Sequence, residues 1–342
     1  MMKLRIAYLD CLRCIAILLV IVLHAMSPIL SNPVYYGIPS WYLCLLQNPL
    51  NRIGVPLFFM ISGYLLLRSP DTLRPSTFYR RHLLRLALPL CTWNLVYLLA
   101  DALRIGAPVS LYAFLSSLLN RGQSYHMWFV YTMMGIYLTA PFLKRITDAC
   151  TSRQLFLLLL ILIFPTSIRP LLNTVLPVYI YLFDPIMEGY LGFFLLGYML
   201  GHYSSGRLLR AVIYCGGVIG YLWGVLGNLW TASPEHIPLP FNGGYSLNHY
   251  LCAAAFFLFC KTVSARHEEA LRPLEKPLAS ASDLVFGVYW IHVLILDVIS
   301  DLAGSSLSVI QLLGLEVSAT VILSFSVMAL IAKLPPLRRS LM

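Results

Sequence analysis

Two side chains near the start of the chain pose the first chemical question. Arg13 and His24 stand in the run Leu-Asp-Cys-Leu-Arg-Cys-Ile-Ala-Ile-Leu-Leu-Val-Ile-Val-Leu-His, residues 9–24. On a helix their spacing amounts to about 20° of net rotation and about 16 Å of rise, so both lie on one face at different depths. A guanidinium at one end of such a face suits an anionic ligand, and an imidazole deeper along it suits a general base, because its pKa lies near neutrality. Asp10, at i−3, can pair with Arg13 and fix it. The plainer alternative is that Arg13 snorkels to the interface and His24 is a structural hydrogen-bonding group. The chemical reading requires both side chains to line one hydrated passage.

Other polar residues interrupt later apolar runs. Ser62, Gly63 and Tyr64 form a small polar spot after Pro56, which implies a kink, and Gly63 suits close helix packing. Arg80, Arg81, His82 and Arg85 form a basic cluster. Arginine forks recognise phosphate, although a cluster like this also serves as a membrane-side anchor. His126 can line a vestibule beside Trp128, itself of the type found in interfacial aromatic belts. Glu188 and Tyr190 fall inside another apolar run, where a carboxyl must be neutral or paired. Tyr289 and His292 share a face at i, i+3. Tyr64, Trp128 and Tyr289 are candidates to stabilise a developing oxyanion. His292 and Asp297 imitate an H-x4-D acyltransferase motif, but their spacing splays them about 140° apart on a helix. No glycine-rich phosphate loop, nucleophile elbow or metal-spaced histidine set occurs, and no metal is expected. The eight Cys read as small apolar packing residues.

These residues need elements to position them, and the composition specifies the kind. Of 342 residues, 59% are hydrophobic and only 11% charged, against about a quarter charged in soluble domains. That excludes a soluble globular enzyme, a disordered chain and a disulfide-stapled secreted domain. It predicts an all-α, polytopic membrane bundle of about ten spans, near 8–28, 50–67, 83–103, 125–143, 154–168, 183–202, 210–230, 246–262, 284–303 and 310–332. Residues 109–119 suit an interfacial helix. With this assignment all but four of the 24 Lys and Arg fall on one side, the exceptions being Arg52, Arg104, Arg121 and Arg169. The positive-inside rule makes that side cytoplasmic, together with both termini. The net charge of +10 then reflects an anionic lipid face, and no nucleic acid partner is expected. The loops are too short for a second domain, so residues 1–342 are expected to form a single integral-membrane unit.

The blocks carrying these polar groups resemble the acyltransferase 3 family of membrane O-acyltransferases. The likeness rests on Arg13-x10-His24, on Val55-Pro-Leu-Phe-Phe-Met-Ile-Ser-Gly-Tyr64 and on Arg81-His-Leu-Leu-Arg85 with Pro89 and Trp93. His126-Met-Trp-Phe with Tyr137 and Pro141, Phe193-Phe-Leu-Leu-Gly-Tyr-Met and Phe286-Gly-Val-Tyr-Trp-Ile-His292 add to it. The pattern is nearest to the enterobacterial common antigen O-acetyltransferase type, and the membrane half of vancomycin-resistance serine racemases looks related. The resemblance implies transfer of an acyl group, commonly acetyl, from cytoplasmic acyl-CoA (acetyl-CoA) to a hydroxyl of a glycan or lipid-linked sugar, in a bacterial cytoplasmic membrane. It implies that His24 is the base and Arg13 its helper on the CoA side, with Arg81 and Arg85 as candidates for the CoA phosphates. The family's R-x-x-R spacing is not matched, since these two arginines are four apart. Asp10 enters the catalytic set through Arg13. Ser62, Tyr64, His126, Trp128, Glu188, Tyr289 and His292 are the candidate substrate contacts. A transporter or flippase for an amino acid or lipid-linked sugar is the alternative from another class, although no internal repeat supports it. A non-catalytic membrane anchor or sensor is a third.

Overall fold

A computed structural model describes residues 6–168, 189–235, 237, 239–303 and 307–342. Among them there is no strand. The elements are helices α1 (Ala7–Ser31), α2 (Pro39–Asn51), α3 (Gly54–Arg68), α4 (Pro75–Ile105), α5 (Leu111–Leu119), α6 (Trp128–Ala149), α7 (Ser152–Ile163), α8 (Tyr190–His202), α9 (Arg207–Thr231), α10 (Leu247–Arg266), α11 (Glu275–Ala303), α12 (Val309–Ile331) and α13 (Pro335–Leu341), with short 3-10 and π turns between them. Segments long and apolar enough to cross a bilayer are Ala7–Ser31, Pro39–Arg68, Pro75–Ile105, Arg207–Thr231, Glu268–Ala303 and Val309–Ile331, six among the described residues. Ten were expected. Ser152–Ile168 and Tyr190–His202 are apolar but shorter, while α6 and α10 carry more polar residues. The span expected over 183–202 falls partly outside the described residues.

Local sequence chemistry marks the helix ends. Pro39 and Pro75 open α2 and α4 at positions whose N–H would be unpaired anyway. Thr151 with Gln154, and Ser308 with Gln311, build capping boxes at α7 and α12. Gly106, at φ 68°, takes the left-handed turn that stops α4. The second span is longer than expected, because helix continues back to Pro39. It breaks at Arg52 and Ile53, since Pro56 cannot donate to the carbonyl four residues earlier. The segment expected as an interfacial helix is α5, and none of its residues is buried.

The exterior is apolar and the interior is spotted with polar groups, the inverse of a soluble domain. Leu84, Leu88, Leu95, Leu99 and Leu103 form an exposed stripe along α4, suited to lipid. Asn94, Asn228, His249, His292, Thr320 and Ser324 are fully buried. The main core joins α1, α3, α4, α6, α8 and α11, and a smaller one surrounds Trp41, whose indole donates to the Leu30 carbonyl at 3.1 Å. At the crossing of α3 and α8, a Cβ on Gly63 would fall 1.8 Å from the Phe194 carbonyl oxygen, and one on Gly197 2.1 Å from that of Met60. Two backbones thus meet where only hydrogen fits on either side.

Candidate functional site

α1 is the axis of the site, in contact with α2, α3, α10, α11 and α12. Its N-terminal half borders a cavity of about 640 Å³ and its C-terminal half one of about 600 Å³. The first holds Asp10, Arg13, Ser62, Arg81, Arg85 and Tyr289 of the expected residues, joined by His82, Tyr137, Ser282 and Arg338. The second holds His24, His126, Trp128 and Tyr289, joined by Arg52, Tyr125, Asp297, Ser300 and Glu316. Arg13 and His24 therefore line two neighbouring cavities, where the shared helix face suggests one. Phe58, Phe129 and Tyr289 line both cavities and stand between them. The reason is tertiary: α3, α6 and α11 each send an aromatic ring into the axis that α1 alone leaves open.

In the first cavity Arg13 is held by geometry. Its Nη1 donates to Asp10 Oδ1 at 3.0 Å and to Ser282 Oγ at 3.3 Å. Ser282 in turn donates to Asp10 at 2.7 Å. Asp10 is almost wholly buried, while the Arg13 side chain keeps 31% of its exposure. One acid thus anchors a guanidinium whose remaining donors face the cavity. Arg81, Arg85 and Arg338 are exposed around the same space. Asp71 and Asp283 share the lining, and with Asp10 taken up by Arg13 the three other arginines still outnumber these two carboxylates, which leaves the pocket cationic enough for an anion.

Three imidazoles from three helices or their approaches gather at the second cavity, His24 and His126 in its lining and His292 buried against both. The His292 ring lies 5.3 Å from that of His24 and 5.1 Å from that of His126. His24 also meets Tyr125 edge-on at 5.0 Å. Tyr289 donates its hydroxyl to the His126 carbonyl at 2.8 Å, which ties α11 to the start of α6. His292 Nδ1 lies 2.6 Å from the Tyr289 carbonyl. A carbonyl only accepts, so Nδ1 carries the hydrogen and a neutral His292 presents a lone pair at Nε2. The Nε2 atoms of His126 and His292 are buried without a hydrogen-bond partner. Arg52 is fixed by Nε to Asn48 at 3.0 Å and by Nη1 to the Asn242 carbonyl at 2.7 Å. The knot extends to Asn228, whose amide donates to Asn242 Oδ1 at 2.8 Å.

The remaining expected residues take other positions. Tyr64 lines neither cavity; its hydroxyl accepts from Arg68 at 2.8 Å and its ring covers Gly201. His292 is fully buried behind His24 rather than in the cavity wall. Glu188 lies outside the described residues. His292 and Asp297 are splayed as the spacing requires: the histidine joins the imidazole cluster and the aspartate pairs with Arg104 at 3.1 Å. Arg52, Tyr125, Glu316 and Ser282 were not singled out as site residues. Arg52 carried a signal, being one of the few cations on the sparsely charged side. The other three become visible only when separate helices are brought together.

A family model for the acyltransferase 3 domain, described as an acyltransferase domain, matches residues 6–333. No curated protein and no solved structure matches the chain.

Proposed function

This chain belongs to the acyltransferase 3 family, and we propose that it is a membrane O-acyltransferase that moves an acyl group, in the first instance acetyl, from acyl-CoA to a hydroxyl. One observation supports this most directly. A cationic cavity around Arg13 and a histidine cavity around His24 stand back to back on one helix, sharing a single wall. Donor and acceptor can then be held on opposite sides of one reacting centre.

Arg81, Arg85 and Arg338 hold the nucleotide phosphates, and Arg13 lines the path of the pantetheine arm. The depth of His24, about 16 Å further along the helix, is comparable with the length of that arm. The Trp128 and Tyr125 rings and the polar groups Ser27, Ser300 and Glu316 offer stacking and hydrogen bonds to a sugar. His24 takes the proton of the acceptor hydroxyl as its oxygen attacks the thioester carbonyl. The carbon–sulfur bond breaks and the CoA sulfur leaves with a proton. The same atoms balance through an acyl-His24 intermediate: the imidazole attacks the thioester carbonyl and the CoA thiolate leaves, then the acceptor hydroxyl attacks the acyl-imidazole and its proton goes to the thiolate.

The finer reading is an enzyme of the enterobacterial common antigen type. It acts on a cell-envelope glycan or lipid-linked sugar in a bacterial cytoplasmic membrane. The cationic cavity faces the cytoplasm together with both termini. Helices α6, α7, α8 and α10 cross as well, giving ten spans whose polar members are shielded from lipid by the rest.

Back-to-back cavities that share one wall also suit a carrier for an amino acid or lipid-linked sugar. Radiolabelled acetyl-CoA supplied to membranes containing the protein separates the two readings. Label appearing in glycan or lipid supports the enzyme, and counterflow of solute without transfer supports the carrier. His24→Ala should lower transfer by about 10²–10⁴-fold while the protein stays monodisperse in detergent. Full activity in that variant removes His24 from the reaction.

A further inference from the structure

The wall between the two cavities is aromatic. Phe129 is its centre, with ring centroids 5.9 Å from Phe58, 5.2 Å from Tyr289 and 5.1 Å from Phe59. It is 7% exposed and meets these three rings while bordering both cavities. Tyr289 is pinned by its bond to the His126 carbonyl and lies stacked, 5° from parallel, beside Phe286. Phe58 is only half-buried and borders both cavities. It is therefore the ring with room to swing.

We propose that Phe58 and Phe129 select the acyl group of the donor by the width of the passage they leave. The inference rests on the acyltransferase reading, with the donor arriving from the Arg13 side. The acyl group is the tip of the pantetheine arm, so it leads through the wall and the thioester carbonyl follows it towards His24. A slim tip displaces Phe58 alone. A tip as wide as a branched chain or a phenyl ring must also move Phe129, which is held by three neighbouring rings in a close-packed interior. The donor class is therefore a short, unbranched acyl thioester, and wider acyl groups are excluded before they reach the base.

The test measures CoA thiol release in isolated membranes, where the natural acceptor is present, with the rate in His24→Ala membranes subtracted. Acetyl-, isobutyryl- and benzoyl-CoA are compared in the wild type, Phe58→Ala, Phe129→Ala and the milder Phe129→Leu. The wild type should favour acetyl-CoA in kcat/KM by about tenfold or more, and each alanine should raise the bulky-to-acetyl ratio about tenfold. Phe129→Leu should fall between and guards against loss of fold in Phe129→Ala. Adding His24→Ala to Phe58→Ala should erase the bulky turnover. An unchanged ratio in Phe58→Ala and Phe129→Leu, with acetyl turnover intact, overturns the inference alone. So does bulky turnover that survives His24→Ala. No thiol release from acetyl-CoA in the wild type overturns the acyltransferase reading, and this inference with it.

Discussion

Removing Arg13 should harm the protein in two separable ways. Arg13→Ala takes the guanidinium partner from the Asp10 carboxylate, whose side chain is 4% exposed and which Ser282 still donates to. At 3.0 Å and an effective dielectric constant of about 20, the lost attraction is roughly 5.5 kcal/mol. Because the Arg13 side chain is 31% exposed, screening reduces this to about 2–3 kcal/mol, near the low end for a broken buried pair. Asp10→Asn in the same chain removes the buried charge that has lost its guanidinium while keeping an acceptor for Ser282, so the double variant should regain about 1–2 kcal/mol. It should regain no acyl transfer, because the guanidinium beside the donor path is still missing. The assay is a double-mutant cycle read two ways, by apparent melting temperature in detergent and by kcat/KM for acetyl-CoA. If the double variant is no more stable than Arg13→Ala, loss of the pair with Asp10 is not what destabilises that variant. If activity returns together with stability, Arg13 is only a structural partner of Asp10 and has no part at the donor site.

Neutralising the phosphate-side arginines, as in Arg81→Gln with Arg85→Gln, should cost about 1 kcal/mol each because both are exposed. That raises KM for acetyl-CoA while leaving turnover of S-acetylpantetheine, which lacks the nucleotide, unchanged; equal losses with both donors would contradict a phosphate role. Gly63→Ala forces a methyl against a backbone carbonyl that cannot rotate away, so it should destabilise by about 1–3 kcal/mol or more. Gly135→Ala, which meets nothing within 4 Å, should be neutral. Equal melting temperatures for the two would refute the close crossing of α3 and α8. The loss of transfer in His24→Ala and the altered donor range of the Phe58 and Phe129 variants complete the set.

Much of the scaffold was legible because lipid imposes one rule. A segment that crosses must satisfy its own backbone, so long apolar runs become helices whatever their neighbours. The capping residues and prolines set several helix ends just as locally. The number of spans was less legible. α6 and α10 carry polar residues that soften the apolar signal, and those residues make sense only once other helices surround them. Pro56 points to a kink, but the apolar signal begins only near residue 50, so the extension of that rod back to Pro39 through Gln47 and Asn48 is not legible. Asn48 is buried in the knot with Arg52, Asn228 and Asn242.

Within the site, the sequence alone fixed what depends on one helix. Arg13 and His24 share a face, and Asp10 reaches Arg13, because the rise and turn of an α-helix are constants. Tertiary structure decided everything that needs two helices at once. It gathered His24, His126 and His292 from distant parts of the chain, seated Ser282 under Asp10, turned Tyr64 away to pack on Gly201, and set Phe58, Phe129 and Tyr289 across the passage. In a bilayer nearly every face of a helix is apolar, so periodicity does not mark the inward one. Helix partners and rotations are chosen instead by contacts such as Gly63 against Phe194 and Gly197 against Met60, and those exist only between chains of atoms already folded together.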